Sequence, residues 1–505
     1  MIFHALFQKI AFLCRDYARQ TGGAIIVIFA IALPVFVGLV GLATDSAIAY
    51  LEKERLNRSC DAAGLAAASS SVATNADLYD RFNKFFEANY PPERYGAADD
   101  IRLYMDDVLI SANNESVQGD ILRAEIDAQY GVTFARIFGV DKIDLKVDCE
   151  IQREVRQLEV ALVLDVTGSM AGDKIEDLRE ASTDFINIIY DRVPSEDLIK
   201  IALVPYSSTV NVGDEVQNEP AMFDLPSGMD YDPLDETQWH GCVMAREHPY
   251  DYQDTGTSTT EGGPWQPFVY PEGYDNDYID DDGNYDLNIP YQQGNNRRTP
   301  NLGCPSLDPI QPLISDRDYL LQLVTGSNTS NGDDDGDPGL RYWSRGGTFG
   351  NLGMVWGHRV LSPQPPFDEG APYDDPKWRK AVIMMTDGEN QVYDWLGGQG
   401  HASDHTAYGR LDDMGPVEVL GTTNRNDAAV EATERFKDTC EIMKNDGIVI
   451  YTIVFGNATN DGYLNESYES CASDSNKYYA APSGDDLKDA FKRIAKELSN
   501  LHLRS

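Results

Sequence analysis

From Gly22 to Ala43 the chain carries no charged residue, GGAIIVIFAIALPVFVGLVGLA. At about 1.5 Å per residue, a helix of that run crosses the roughly 30 Å hydrocarbon layer of a bilayer. Pro34 lies mid-span, where a membrane helix tolerates it better than a soluble one does. The next tract, DSAIAYLEKERLNRSCDAAGLAAASSSVA, keeps helical spacing at Ile48, Leu51, Leu56 and Cys60 and then turns alanine-rich. One long helix is therefore predicted to leave the membrane and run to about Val72. Its small residues would let a copy or a partner approach closely.

The period then changes to two. Ile143, Leu145, Val147, Cys149 and Ile151 alternate with Asp144, Lys146, Asp148 and Glu150, as in a half-buried strand. Ile121, Ala124, Ile126, Ala128, Tyr130 and Val132 suggest another. Further on, Leu158 to Leu164 (LEVALVL) is apolar apart from Glu159, which predicts a parallel strand covered on both faces. A helix from about Asp173 to Tyr190 places Ile175, Leu178, Phe185, Ile188 and Ile189 on one face. Strands follow at Ile199 to Pro205, Ala381 to Met385 and Gly447 to Phe455, with helices near Asn424 to Lys444 and Asp485 to Leu498. This alternation predicts an α/β fold with a doubly wound parallel sheet.

Between about Ser207 and Asp337 the pattern is interrupted by a stretch rich in Asp, Tyr, Pro, Gly and Asn, as in DNDYIDDDGNYD. Within it, DPIQPLISDRDYLLQLVT (308–325) reads as a helix with Leu313, Leu320, Leu321 and Leu323 available for burial. The predicted organisation is a leader (1–21), a transmembrane helix (22–43), a membrane-proximal helix (44–75) and a small β-rich spacer (76–156). An α/β domain then spans 157–206 and 338–500, around a large acidic insertion (207–337).

Charge and cysteine content narrow the setting. A formal net charge of −42 over 505 residues argues against a nucleic-acid partner, whose phosphates would be repelled. Lys9, Arg15 and Arg19 precede the span, so the positive-inside rule puts the N-terminus in the cytoplasm and everything after Asp45 outside. The long charged leader and the length of the apolar run indicate an uncleaved anchor rather than a removed signal. Cys14 would be cytoplasmic. Cys242 with Cys304, and Cys440 with Cys471, are neighbours in order and are expected as disulfides, which need an oxidising compartment. Cys60 and Cys149 could pair or stay free.

The candidate chemistry lies where strands meet helices. In doubly wound sheets ligands bind beyond the carboxyl ends of the strands. Asp165-Val166-Thr167-Gly168-Ser169, Gly346-Gly347-Thr348 and Thr386-Asp387-Gly388 all fall there. Asp165 and Asp387 offer two carboxylates, and Thr167, Ser169 and Thr348 offer three hydroxyls, hard donors of the kind Mg²⁺ prefers. The two glycines before Thr348 would let its loop approach closely.

These three motifs, in this order, resemble a von Willebrand factor A domain with a metal-ion-dependent adhesion site, a Rossmann-like fold. Members usually have Asp-x-Ser-x-Ser; here Thr167 replaces the first serine and keeps its hydroxyl. The resemblance implies that Thr167, Ser169 and Thr348 contact a metal directly or through water, while Asp165 and Asp387 supply charge. The ion would be Mg, with Mn or Ca possible, and a protein partner's Asp or Glu would complete it. The N-terminus resembles TadE/TadG-like proteins of Flp (tight adherence) pilus assembly: a basic leader, Gly-Gly-Ala, a proline-broken apolar run, Gly-Leu-Ala-Thr-Asp, then Cys-Asp-Ala-Ala-Gly-Leu-Ala-Ala-Ala. GGTFGNLGMVWGHRVLSP, Cys471-Ala-Ser and Tyr478-Tyr479-Ala480-Ala481-Pro482 resemble the TadG-like subset. Many pilin-like members carry a glutamate early in the apolar helix, whereas this chain has only Ile and Val there.

The leading expectation is thus a non-enzymatic, single-pass inner-membrane protein of pilus assembly or adhesion. Its A domain, periplasmic or extracellular, would grip a protein partner through the metal and meet other pilus-assembly components. The alternatives are a Mg-dependent phosphoryl-transfer enzyme and a structural minor pilin subunit. Of three further signals, two read as structural and the third stays open. Asn331-x-Asp333-x-Asp335-Gly336 opens like a calcium loop but has Tyr342 at the twelfth position. His401 and His405 have the spacing of a zinc pair, yet follow Gly397-Gly398-Gln399-Gly400 and read as a solvated loop pair. Trp265, Tyr270, Tyr274 and Tyr278 could be a contact surface or a local core.

Overall fold

The structure is a computed structural model. It describes residues 21–68, 75–95, 98–110, 121–152, 157–193, 195–213, 229–231, 235, 237–256, 262–272, 276, 278, 299–305, 308–326, 339–343, 345–394, 401–412 and 420–501. The basic leader with Cys14, the Asn331–Gly336 loop, Gly397–Gly400, Tyr274 and most of the DNDYIDDDGNYD stretch lie outside these. The chain forms two units, residues 1–154 and 155–504.

In the first unit, helix α1 (Thr21–Ala68) runs unbroken through Pro34. Its large apolar side chains from Ile26 to Val40 are exposed, and the run is long and apolar enough to cross a membrane. From Ala49 onward the character reverses. Ala49, Leu56, Cys60, Ala63 and Ala67 form a buried stripe, spaced to recur on one helical face. Ile48 and Leu51, expected on that stripe, stay exposed. A second helix, α2 (Asn75–Asn89), was not predicted; it buries Leu78, Phe82 and Phe86.

Both helices share one core with a four-stranded antiparallel sheet, ordered β2-β1-β3-β4. The strands are β1 (Ala98–Met105), β2 (Val108–Ile110), β3 (Ile121–Gly131) and β4 (Lys142–Gln152). Pairing of β3 with β4 runs from Ile121↔Gln152 to Gly131↔Lys142. The period-two pattern sets the inner face: Ala124, Ile126 and Ala128 oppose Cys149, Val147 and Leu145. Leu122, not Ile121, continues it. Cys60 on α1 is disulfide-bonded to Cys149 on β4. Gly64 is needed for this close approach, since a Cβ there would stand 2.1 Å from Ile151 Cδ1.

The second unit is an α/β domain on a six-stranded sheet ordered β14-β13-β11-β5-β6-β9. Its strands are β5 (Gln157–Asp165), β6 (Ile199–Tyr206), β9 (Gln311–Ile314), β11 (Trp378–Thr386), β13 (Val449–Phe455) and β14 (Tyr478–Ala481). Two short pairs stand apart from it: β7 (Val210–Asn211) with β8 (Cys242–Val243), and β10 (Gly347–Thr348) with β12 (Gln391–Val392). The helices are α3 (Asp173–Tyr190), α4 (Arg317–Thr325), α5 (Gly350–Arg359), α6 (Arg425–Asn445), α7 (Gly462–Cys471) and α8 (Gly484–Leu501).

The sheet is mixed, whereas a purely parallel one was predicted: β9 runs antiparallel to β6. Residues 308–325, expected as one helix, divide. Pro309 and Pro312 disfavour helix, and an edge strand accepts Pro312. Helix α4 starts only after Asp316, whose Oδ1 accepts from the Tyr319 N–H at 2.9 Å.

Alternate residues of the central strands feed two cores. Leu162, Leu164, Ile383 and Met385 pack with α3 and α8, where Phe185 meets Phe491 edge-on at 6.1 Å. Val163, Val382 and Met384 pack with α5, α6 and α7, where Phe436 stacks on Tyr468 at 4.8 Å. Helices thus cover both faces, as the near-continuous apolar strands require. Glu159, the exception in LEVALVL, is fully buried; it ion-pairs with Lys380 and accepts from the Ala371 N–H at 3.0 Å. Cys440–Cys471 ties α6 to α7, and Cys242–Cys304 is also bonded. Trp265, Tyr270 and Tyr278 are buried: Trp265 joins the core of α5, with Arg246 4.2 Å over its ring, and Tyr270 packs with Phe268 around Cys242–Cys304.

Candidate functional site

β5 and β11 are neighbours, with Leu164 opposite Met385. Their carboxyl ends therefore deliver Asp165 and the Thr386-Asp387 pair side by side. After Asp165 the chain bends through a 3₁₀ turn, Gly168–Met170, before α3 begins. That bend returns two hydroxyls toward the strand ends. Asp165 Oδ1 accepts from the Thr167 N–H at 2.9 Å and from Thr167 Oγ1 at 2.6 Å. Its Oδ2 accepts from Thr386 Oγ1 at 2.8 Å. Thr167 Oγ1 and Ser169 Oγ are 3.0 Å apart, and Ser169 donates to Asp387 Oδ1 at 2.5 Å. Lys174 Nζ lies 2.5 Å from Asp387 Oδ2.

Thr348 lines the same depression, of about 660 Å³, with Thr167, Ser169, Asp387 and Glu389. Its loop makes the predicted close approach. Gly347 has φ +118, and a Cβ there would stand 1.8 Å from the Gln391 carbonyl oxygen. Only glycine fits. Asn390 secures the next turn by accepting from the Gly350 N–H at 2.7 Å.

Asp165 is fully buried. Burial first, and the Asp387 charge second, push its carboxyl up to about 6, against the pull of the Thr167 and Thr386 hydrogen bonds. Ser169, by contrast, is exposed.

The adhesion-site metal expected here is corrected by this arrangement. Among the described residues, no three His, Cys, Asp or Glu side chains gather into a group that could hold an ion. The hydroxyls at Thr167 and Ser169 donate to the carboxylates of Asp165 and Asp387, and the Lys174 ammonium places a built-in positive charge on Asp387. The donor set compensates itself. The expectations of Mg, Mn or Ca at Asp165, Thr167, Ser169, Thr348 and Asp387, and of a partner's Asp or Glu completing that ion, are therefore withdrawn.

Two residues of the cluster escaped the sequence reading. Thr386 offers no local signal beyond preceding Asp387. Lys174 carried a readable signal: a cation in the first turn of a helix opposes the macrodipole and needs a local anion. His401 and His405 lie in a loop as expected, but His405 is buried, 5.1 Å from the Phe268 ring. His401 Nε2 meets Arg410 Nη1 at 3.1 Å.

Comparison with known proteins bears on the first unit most directly. Residues 23–70, a stretch that takes in all but the first two residues of α1, match the putative Flp pilus-assembly TadE/G-like family. No curated protein matches the chain. Many solved structures are distantly similar, among them three pilus proteins. The pilus adhesin SpaC from Lactobacillus rhamnosus GG is 12% identical over 79% of this chain, with TM-score 0.33. The chain spans 33% of that adhesin's length. The vWF domain of the type V pili tip protein Mfa5 from Porphyromonas gingivalis is 12% identical over 70% of this chain and 97% of its own, with TM-score 0.33. PilB minor pilin from Streptococcus sanguinis is 10% identical over 79% of this chain and 77% of its own, with TM-score 0.31.

Proposed function

We propose that this protein is a membrane-anchored structural component of a pilus, of the minor-pilin type, and that its role is assembly rather than catalysis. One observation carries the reading: the TadE/G-like match falls on a single continuous helix with two different halves. The first half exposes apolar side chains along a membrane-length run, and the second forms the core of a folded unit. Such a helix anchors the unit and holds it at a fixed distance from the bilayer. The basic leader orients it with the N-terminus in the cytoplasm. Three disulfides suit an oxidising compartment for everything beyond the span. In this reading the second unit is a von Willebrand factor A-like domain over 157–206 and 338–500. Residues 207–337 elaborate it, and 76–156 space it from the membrane.

Fractionation tests this. Shearing should release the protein with the pilus filament, and deletion of its gene should reduce filament number or length. Recovery only in the inner membrane, with normal filaments in the deletion strain, would defeat the structural reading.

A further inference from the structure

The β3–β4 connection ends in a turn whose composition does not suit water. Residues 133–140 read Thr-Phe-Ala-Arg-Ile-Phe-Gly-Val. Phe134, Ile137, Phe138 and Val140 are 40%, 78%, 60% and 44% exposed. Four large apolar side chains at one hairpin tip form a patch that calls for a covering medium.

The turn's position identifies that medium. A methyl group at Gly38 would lie 3.0 Å from Phe138 Cζ, and one at Gly41 would lie 2.7 Å from Phe134 Cβ. Both glycines belong to the apolar run ending at Ala43. Phe138 therefore sits against the helix about 7.5 Å inside the end of that run. This matches the depth of roughly 5–10 Å at which interfacial elements bury their apolar face.

The backbone of the turn is prepared for a medium without water. Asp45 accepts from the N–H groups of Thr133, Phe134 and Ala135 at 3.1, 2.8 and 2.7 Å. The Ile137 N–H donates to the Phe134 carbonyl at 3.1 Å, Gly139 to Arg136 at 3.0 Å and Val140 to Ala135 at 3.2 Å. Polar backbone groups entering a bilayer must be paired in this way. Gly139, at φ +83, closes the turn. Arg136 is the one ionisable side chain of the eight, and it can extend to the headgroups while its stem stays apolar.

The geometry points to a membrane-dipping finger: the 133–140 turn inserts Phe134, Ile137, Phe138 and Val140 into the outer headgroup–acyl boundary of the bilayer that α1 crosses. A second contact beside the anchor fixes the first unit's orientation on the membrane, which a lone helix leaves free to swivel. The inference rests on the anchoring proposed above.

The test uses the full chain with Cys14→Ser, reconstituted in vesicles of phosphatidylethanolamine and phosphatidylglycerol. Single cysteines at Ile137→Cys, Leu33→Cys and Leu109→Cys carry an environment-sensitive fluorophore. Quenching by spin-labelled acyl chains is compared with quenching by aqueous iodide. The expected result is lipid quenching at 137 within about twofold of that at 33, and at least about threefold above that at 109. Gly41→Val, which pushes Phe134 off the helix, should lower lipid quenching at 137 and leave 33 unchanged. Iodide access at 137 equal to that at 109, with 33 still lipid-quenched, overturns the finger and leaves the anchor. Shielding of 137 from both quenchers means a protein covers the turn, which also overturns it. Absence of lipid quenching at 33 overturns the anchor and the finger together.

Discussion

Each unit holds a buried aspartate, Asp45 in the first and Asp165 in the second, and the two behave in opposite ways. Asp45 and Asp165 are both about 99–100% removed from solvent. Burial alone would raise Asp45, but N–H donors from Ala135, Thr133 and Phe134 outweigh it and hold the carboxyl below its ordinary value. At Asp165 the same burial is joined by the charge of Asp387, and two hydroxyl donors with the single Thr167 N–H only partly offset them, so the carboxyl rises to about 6. Burial does not decide ionisation by itself. What decides it is whether the fold aims fixed dipoles or a second charge at the buried group. Asp45 is a latch made for the charged state, and Asp165 is a site under charge stress.

That contrast can be broken most directly at Asp45. Asp45→Ala removes the acceptor of three backbone donors. Hydrogen exchange at Thr133, Phe134 and Ala135 should accelerate on the order of 10³-fold in the reconstituted chain. Unchanged exchange would mean the carboxylate holds nothing.

The pH dependence of the two units should have opposite signs. A carboxyl depressed on folding contributes stability above its ordinary value of 3.8, and this is lost as pH falls below it. A carboxyl raised to about 6 does the reverse, so the second unit loses stability as pH rises from about 4 to about 6 and then levels off. Two pKa units correspond to about 3 kcal/mol. Asp165→Asn should remove that slope in denaturant unfolding; a slope that survives would assign it to other groups.

A smaller effect is expected at Lys174. Lys174→Met leaves Asp387 without its cation. It should cost about 1–2 kcal/mol near neutral pH and move the Asp165 transition to higher pH. A neutral or stabilising outcome would show that the ion pair does not compensate the site. Smallest of all is the expected response to divalent cations. Millimolar Mg²⁺ or Mn²⁺ should move the second unit's Tm by less than about 1 °C. A rise of several degrees, abolished by Asp387→Ala, would restore the ion that the internal pairing displaces.

The sequence by itself determined the elements whose periodicity is strong and local. The 22–43 run, the alternation at Ile143–Ile151 and the amphipathic stretch at Asp173–Tyr190 each repeat one period long enough to leave one solution. It also located Asp165, Thr167, Ser169, Thr348 and Asp387 at strand ends, because strand–turn–helix punctuation is written in neighbouring residues. Tertiary structure alone decided the rest. The Leu313 segment became an antiparallel edge strand because β6 offered an open edge and two prolines opposed helix. The Cys60–Cys149 pairing depended on α1 lying against β4, which no local pattern encodes. The state of the acidic cluster was set by Lys174 and Thr386, brought to the carboxylates by the turn after β5 and the register of β5 with β11. Local sequence fixes which donors and acceptors a turn carries. Which of them meet, and how their charges balance, is a sum over distant segments that only the packed chain performs.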